Sequence, residues 1–231
     1  TGEDMVYVAR ELNVASTDFS EYSCMTVHGD KLCYGADHVV ISYPLDGGAM
    51  EMDTLYWEEQ QGGWKLRRRA FDNSGNVYAI VLVDAVPNNH PYLCKFDIEG
   101  QNVYAYALTE LLEENLSNSM DSTVWSSGWK LSADGAGNVF FLAGKMIFAF
   151  DAGGEYAEIV DLGKGPGYEV TGLTGGNGHN VYAVYHPTGN YDSTYVGQLH
   201  FDSMATVNVN EGQNIKGVCA GGDGEVFLYT A

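Results

Sequence analysis

A short unit recurs along this chain and limits the folds that it can adopt. Each copy is a turn rich in Gly, Asp and Asn, then a branched apolar residue, then an aromatic or apolar one. The copies lie at residues 72–78, 134–140, 176–182 and 222–227, with a degenerate copy at 28–33. Aligned on the apolar residue, their spacings are 45, 62, 42 and 45 residues. A period in the forties built from short strands is the length of a four-stranded propeller blade. The repeat therefore predicts an all-β propeller with about five blades represented.

A second recurring feature, an aromatic residue followed by an acidic turn, supports this interpretation. It lies at residues 43–48, 96–100, 150–154 and 201–203, where it would end the third strand of each blade. We expect second strands at 77–83 and 139–143, third strands at 92–96 and 146–150, and fourth strands at 103–108 and 156–160. The 29 Gly and 16 Tyr are typical of turns and strands. An irregular β-sandwich, the alternative, would not explain the period.

The domain organisation follows from the same repeat. We expect one propeller domain over residues 1–231, divided into the following units: an outer strand at 1–12, blades at 20–60, 63–108, 128–162 and 167–210, an insertion at 109–127, and a partial blade at 214–231. A short helix is expected at 110–116, with its charges facing water. A closed ring of five blades would lack one strand, so we expect a fragment of a larger propeller with six to eight blades.

The motif D-x-x-G-N-[VI]-[YFW], clearest at Asp72–Tyr78 and Asp134–Phe140, resembles the blade signature of propellers of the NHL and two-component-regulator type. This resemblance covers nearly the whole chain. It implies radial sheets around a channel and a surface often used for binding. It implies no particular chemistry.

The charge balance excludes some partners. The chain carries 31 Asp and Glu against 11 Lys and Arg, a formal charge of −20, which would repel nucleic acid. No run of 18 apolar residues occurs, so no transmembrane segment is expected. High acidity, many Tyr and few Lys are typical of an extracellular or cell-surface protein, with a signal segment absent from this sequence.

The cysteines indicate no metal site. Cys24, Cys33, Cys94 and Cys219 form no C-x-x-C pair, so we expect buried thiols instead of a zinc centre. A two-residue turn at residues 29–30 would pair Cys33 with Thr26 and Cys24 with Gly35. A Cys24–Cys33 disulfide would need a different register.

Loop lengths indicate where a ligand could bind. The long loops at 84–91 and 186–193 and the insertion at 109–127 would all emerge on one face of the propeller, and elaborated loops often carry function. This loop-rich face supplies the candidates His90, His186, Tyr191 and Tyr195. The two histidines are expected on equivalent loops, where a shared metal or an acid/base pair competes with plain solvent exposure.

Aromatic and basic residues near the channel complete the candidate set. Trp129 recurs with Trp64 at the start of a first strand, where ligand stacking competes with packing between blades. Trp125 lies in the insertion, outside the repeat. Arg67 and Arg69 should point to the same side of a strand, where they could pair with carboxylates or bind an anion.

We therefore predict a non-enzymatic, extracellular propeller module that binds a protein, a small molecule or a glycan. One alternative is a propeller hydrolase or lyase that acts on a sugar or lactone with calcium in the channel. Another is a structural interaction domain, marked by a large exposed apolar patch or an open blade edge. No cofactor is predicted. The Asp-rich turns are interpreted as hairpin turns first and calcium sites second.

Overall fold

The structure is a computed structural model. It describes the following residues: 25–28, 30–36, 39–57, 64–83, 90–115, 129–143, 146–161, 168–175, 181–187, 189, 195–200, 203–207, 215–220 and 226–230.

The described chain forms antiparallel sheets whose strands follow one another in sequence. The first blade contains β1 (Met25–His28), β2 (Lys31–Ala36), β3 (Val39–Pro44) and β4 (Glu51–Thr54). The second contains β5 (Trp64–Phe71), β6 (Val77–Val83), β7 (His90–Phe96) and β8 (Asn102–Ala107). The third contains β9 (Lys130–Ala133), β10 (Val139–Ala143), β11 (Met146–Phe150) and β12 (Tyr156–Asp161). The fourth contains β13 (Tyr168–Gly175), β14 (Val181–Pro187), β15 (Tyr195–His200) and β16 (Ser203–Val207). A two-stranded sheet follows, with β17 (Ile215–Ala220) and β18 (Val226–Thr230).

Consecutive sheets meet through their first strands. β1 contacts β5, β5 contacts β9, β9 contacts β13, and β13 contacts β17. The first strand of each sheet is therefore the innermost one, and the sheets are arranged radially around a common axis. This is the β-propeller that the repeat predicted.

Apolar cores lie between neighbouring blades. Second strands such as β6 and β10 consist of continuous apolar residues, because neighbouring blades cover both of their faces. Alternate residues of β6 enter different cores: Val77, Ala79 and Val81 face the first blade. Tyr78 and Ile80 face the third.

The recurring turns share one hydrogen-bond pattern. Asp72 Oδ1 accepts bonds from the amides of Ser74 (2.8 Å) and Asn76 (3.0 Å), and Gly75 has a positive φ of 83°. Asp134, Asp97 and Asp151 make the same pair of amide contacts. The turns that begin at Asp72, Asp97, Asp134 and Asp151 are therefore the same Asp-capped hairpin turn, and the turn interpretation of the Asp-rich segments is confirmed at Asp72 and Asp134.

Several local predictions are confirmed. β6, β10 and β11 have the predicted bounds. Thr26 pairs with Cys33, and the Cys33 and Cys94 thiols are buried and free. The helix α1 (Thr109–Asn115) buries Leu111 and Leu112 and exposes its glutamates. The expected outer strand at 1–12 and Cys24 lie outside the described residues, as do residues 116–127 of the insertion.

Candidate functional site

The two candidate histidines differ in exposure. His90 is the exposed first residue of β7, and its Nδ1 lies 3.4 Å from Thr109 Oγ1. His186 lies within β14 with only 2% of its surface exposed, and its Nδ1 lies 3.1 Å from the carbonyl oxygen of Pro187. The expectation of a loop position is wrong for both histidines, because β7 begins at His90 and β14 continues through His186 to Pro187.

A β-bulge interrupts the strand that carries the three consecutive arginines, and it shifts the register between Leu66 and Arg68. Arg68 then pairs with Ile80, on the face towards the third blade, and Arg69 pairs with Ala79, on the face towards the first. Arg67 lies at the bulge and has no register partner in β6, and its shared orientation with Arg69 stays a prediction.

The candidate aromatic residues pack against neighbouring aromatic rings. Trp129 is 5% exposed, meets Phe141 edge-to-face at 5.1 Å, and accepts a hydrogen bond from Arg68 Nε at its carbonyl oxygen. The half-buried Tyr195 stacks on Tyr185 with ring centroids 5.5 Å apart. Trp125 and Tyr191 lie outside the described residues.

A cleft opens between the first and second blades, at the side of the turns that join the first strand to the second and the third strand to the fourth. This is the side opposite the predicted loop-rich face. Its volume is about 230 Å³. It is lined by the following residues: Asp30, Lys31, Cys33, Val40, Ser42, Glu51, Asp53, Phe71, Gly75 and Ile98.

The mouth of the cleft is acidic. Lys31 Nζ lies 2.6 Å from Glu51 Oε2, and this hydrogen bond raises the pKa of Lys31 above its ordinary value. Asp30 and Asp53 are exposed, and neither forms an ion pair with a residue that the structure describes. The lining of the cleft thus carries three carboxylates and one ammonium group, which leaves the mouth negative.

One exposed apolar side chain, that of Ile98, lines this cleft. Within the described part of the chain, the large apolar side chains with 43–56% exposure all fall in two segments, 45–56 and 98–103: Leu45, Met50, Met52, Tyr56, Ile98 and Val103. We use the name outer seam for four of them, Leu45, Tyr56, Ile98 and Val103.

Backbone contacts bring these two segments together. The Tyr56 amide donates to the Gly100 carbonyl (2.8 Å), and the Asn102 amide donates to the Tyr56 carbonyl (3.0 Å). Gly100 has a φ of +78°, and a Cβ there would lie 2.5 Å from the Thr54 carbonyl oxygen. Only glycine permits this approach of the second blade to the end of β4.

The sequence-based prediction did not find the outer seam, because it placed the binding site on the face with the longest loops. One signal was present. Leu45 and Ile98 are large apolar residues within the acidic turns of the second recurring feature, and turns usually contain polar residues.

Among the described residues, no three His, Cys, Asp or Glu side chains are grouped to hold a metal ion. No described helix has the length and apolar character needed to cross a membrane.

Comparisons with known proteins identify no family. No protein-family model matches the chain, and no curated protein matches it. The resemblance to the NHL type of repeat therefore rests on the turn motif alone.

Solved structures do show similarity. A protein of unknown function from Bacteroides caccae is 9% identical, with a TM-score of 0.43 over 83% of this chain and 62% of that one. Regucalcin from Agrobacterium tumefaciens, a calcium-binding protein, is 10% identical, with a TM-score of 0.44 over 84% and 62%. The extracellular domain of a hybrid two component system from B. thetaiotaomicron is 14% identical, with a TM-score of 0.45 over 94% and 27%. The chain spans less than two thirds of the length of each of these proteins.

Proposed function

We propose that this propeller is a non-enzymatic protein-interaction module that acts outside the cell, and that the outer seam is its contact surface. The observation that carries the proposal is the grouping of exposed apolar side chains at 45–56 and 98–103. The extracellular part of the proposal rests on composition, since the chain is strongly acidic, rich in Tyr and poor in Lys.

Exposed apolar surface costs free energy in water, about 25 cal/mol for each Å². Single apolar residues on a surface need no explanation, but contiguous patches mark contact sites. In the outer seam, Ile98 and Tyr56 are more than half exposed and belong to adjoining segments. A partner that covered them would recover the free energy of their burial.

The scaffold suits such a role. Ile98 of the outer seam lies in the turn at residues 97–100, which Asp97 caps through the amides of Glu99 and Gln101. Because these hydrogen bonds order the turn before any partner arrives, association loses little conformational entropy there.

Selection of displayed random peptides on the whole protein tests this proposal. Peptides selected on the unaltered protein are then offered to the Ile98→Ser/Tyr56→Ser variant. We expect at least a subset of binders to lose about tenfold or more in affinity, as removal of central apolar contacts does at other interfaces.

Two matched controls accompany this variant. Met52→Ser removes an apolar side chain that is as exposed as that of Ile98, 56% in both. Met52 lies on the other face of β4 and does not belong to the outer seam. His90→Ala changes an exposed residue on the predicted loop-rich face. Binders that respond equally to all the variants, or only to His90→Ala, would contradict the proposal. Thermal unfolding of each variant confirms that it is folded.

A further inference from the structure

We infer that the partner of the outer seam is a basic polypeptide, whose apolar side chains pack on the seam while adjacent Lys or Arg residues meet the carboxylates around it. This inference rests on the proposed function and adds the chemistry of the partner. It is carried by the charges that surround the apolar residues.

The acidic residues around the outer seam outnumber the basic ones. They are Asp30, Asp46, Glu51, Asp53, Asp97 and Glu99, and all but Asp97 are exposed. Two of them are engaged in turns, since Asp46 and Asp97 each accept backbone amide hydrogen bonds. Asp30 and Asp53 line the cleft beside Ile98.

The nearby cations are already engaged. Lys31 pairs with Glu51. Lys95 is directed to the third blade, where its Nζ donates to the Ala152 carbonyl (3.2 Å) and lies 5.5 Å from the centre of the Tyr78 ring. The seam is thus an apolar surface with an excess of negative charge, and its electrostatic complement is an apolar surface with positive charge.

The net charge argues against other occupants. A second copy of this chain also carries −20 and would bring like charges together at the seam. Nucleic acid and anionic lipid surfaces are repelled for the same reason. A basic polypeptide is attracted both by the seam and by the chain as a whole.

The side chains of Lys and Arg fit such a surface. Their apolar stems cover apolar groups while their charged ends stay near water. The cleft of about 230 Å³ places the half-exposed Ile98 beside the carboxylates of Asp30 and Asp53. One long basic side chain can therefore contact both kinds of group at once.

Labelled peptides of equal length test the inference on the whole protein by fluorescence anisotropy. One alternates Arg with Leu, one replaces Arg by Glu, and one replaces Leu by Ser. We expect the Arg–Leu peptide to bind about tenfold or more tightly than either of the others, since it alone supplies both contacts. Its affinity should fall when NaCl rises from about 50 to 300 mM.

Two charge variants distinguish binding at the outer seam from attraction to the net charge of the chain. Asp30→Asn/Asp53→Asn should lower the affinity for the Arg–Leu peptide about fivefold, because two partly solvated ion pairs are lost. Glu113→Gln/Glu114→Gln removes the same charge from the exposed side of α1 and should leave the affinity unchanged. Equal weakening by both variants would show attraction to the net charge only and would overturn the inference.

The remaining outcomes are distinguishable. If the displayed peptides depend on Ile98 and Tyr56 but show no enrichment of Lys or Arg, this inference is wrong and the proposed function stands. If no peptide depends on Ile98 and Tyr56, the proposed function itself fails. A sedimentation experiment that finds a dimer dissociated by Ile98→Ser would identify a second copy as the occupant and overturn the inference.

Discussion

The Tyr78 hydroxyl donates a 3.0 Å hydrogen bond to Oδ2 of Asp72, six residues earlier in the same blade. This contact joins β6 to the turn before it. Gly137 of the third blade lies against both residues, since a Cβ there would be 2.8 Å from the Tyr78 hydroxyl and 3.3 Å from Asp72 Oδ2. The turn motif of one blade is thus packed against the turn motif of the next.

Gly137→Ala should lower the free energy of unfolding by about 2–4 kcal/mol, because the new methyl group would clash and the φ of +88° disfavours alanine. Gly47→Ala is the matched control. Gly47 has a φ of +86° with nothing within 4 Å of the added Cβ. Its cost should be only the backbone strain of about 1–2 kcal/mol. Urea unfolding of both variants measures the difference, and equal losses would contradict the packing argument.

Tyr78→Phe should lower the free energy of unfolding by about 1.5–3 kcal/mol, since it removes a buried hydrogen bond to a carboxylate. Asp72 Oδ2 would keep its bond from Asn76 Nδ2 at 2.8 Å. Tyr56→Phe deletes a hydroxyl from an exposed tyrosine and should change stability by less than about 0.5 kcal/mol. A similar loss in the two variants would argue against a specific role for the Tyr78 hydroxyl.

Alkaline pH should destabilise the propeller. Burial raises the pKa of Tyr78 and Tyr104 above the ordinary 10.0, with a further rise at Tyr78 from Asp72 and at Tyr104 from Asp151. Burial alone raises the pKa of the Cys94 thiol above 9.0. All three groups keep their protons more tightly in the folded state. Their contribution is therefore complete below pH 9 and is lost progressively as the pH rises above 9–10.

Urea unfolding at pH 8, 10 and 11 measures this loss. Absorbance at 295 nm follows tyrosine ionisation in parallel. We expect part of the tyrosinate signal to appear only together with unfolding. Stability that stays constant through pH 11 would be inconsistent with buried, protonated Tyr78 and Tyr104.

Arg68→Met should lower the free energy of unfolding by about 1–3 kcal/mol, because it leaves the buried Trp129 carbonyl without its donor from the second blade. Arg67→Met is the neighbouring control. Arg67 Nε has no hydrogen-bond partner among the described residues, so a smaller loss is expected. Thermal and urea unfolding compare the two, and an equal or larger loss in Arg67→Met would contradict the assignment.

Much of the fold was predictable because each turn is stabilised by residues that are close in sequence. In Asp72–Tyr78, the cap from Asp72 to the amides of Ser74 and Asn76 involves residues within four positions of each other. Such turns fix where β6, β10 and β11 begin or end, and their repetition indicates a propeller. The pairing of Cys33 with Thr26 followed from a two-residue turn in the same way.

The candidate site was less predictable because it depends on distant contacts. His186 is buried because β14 extends through it and pairs it with Glu169 in β13, and nothing adjacent in sequence shows this. A bulge at Arg67 interrupts the register between β5 and β6, and Trp129 packs against Phe141.

The turns, the strands between them and the acidic charge follow from the amino-acid sequence, since these depend on residue type and near neighbours. Which apolar residues stay exposed depends on how the blades pack against one another. Leu45 and Ile98 occupy similar turns in different blades, 53 positions apart, and both belong to the outer seam. Tyr56 lies close to the turn of Ile98, because Gly100 allows that turn to approach the end of β4. A surface of this kind forms from the docking of one blade on another, which no local pattern encodes.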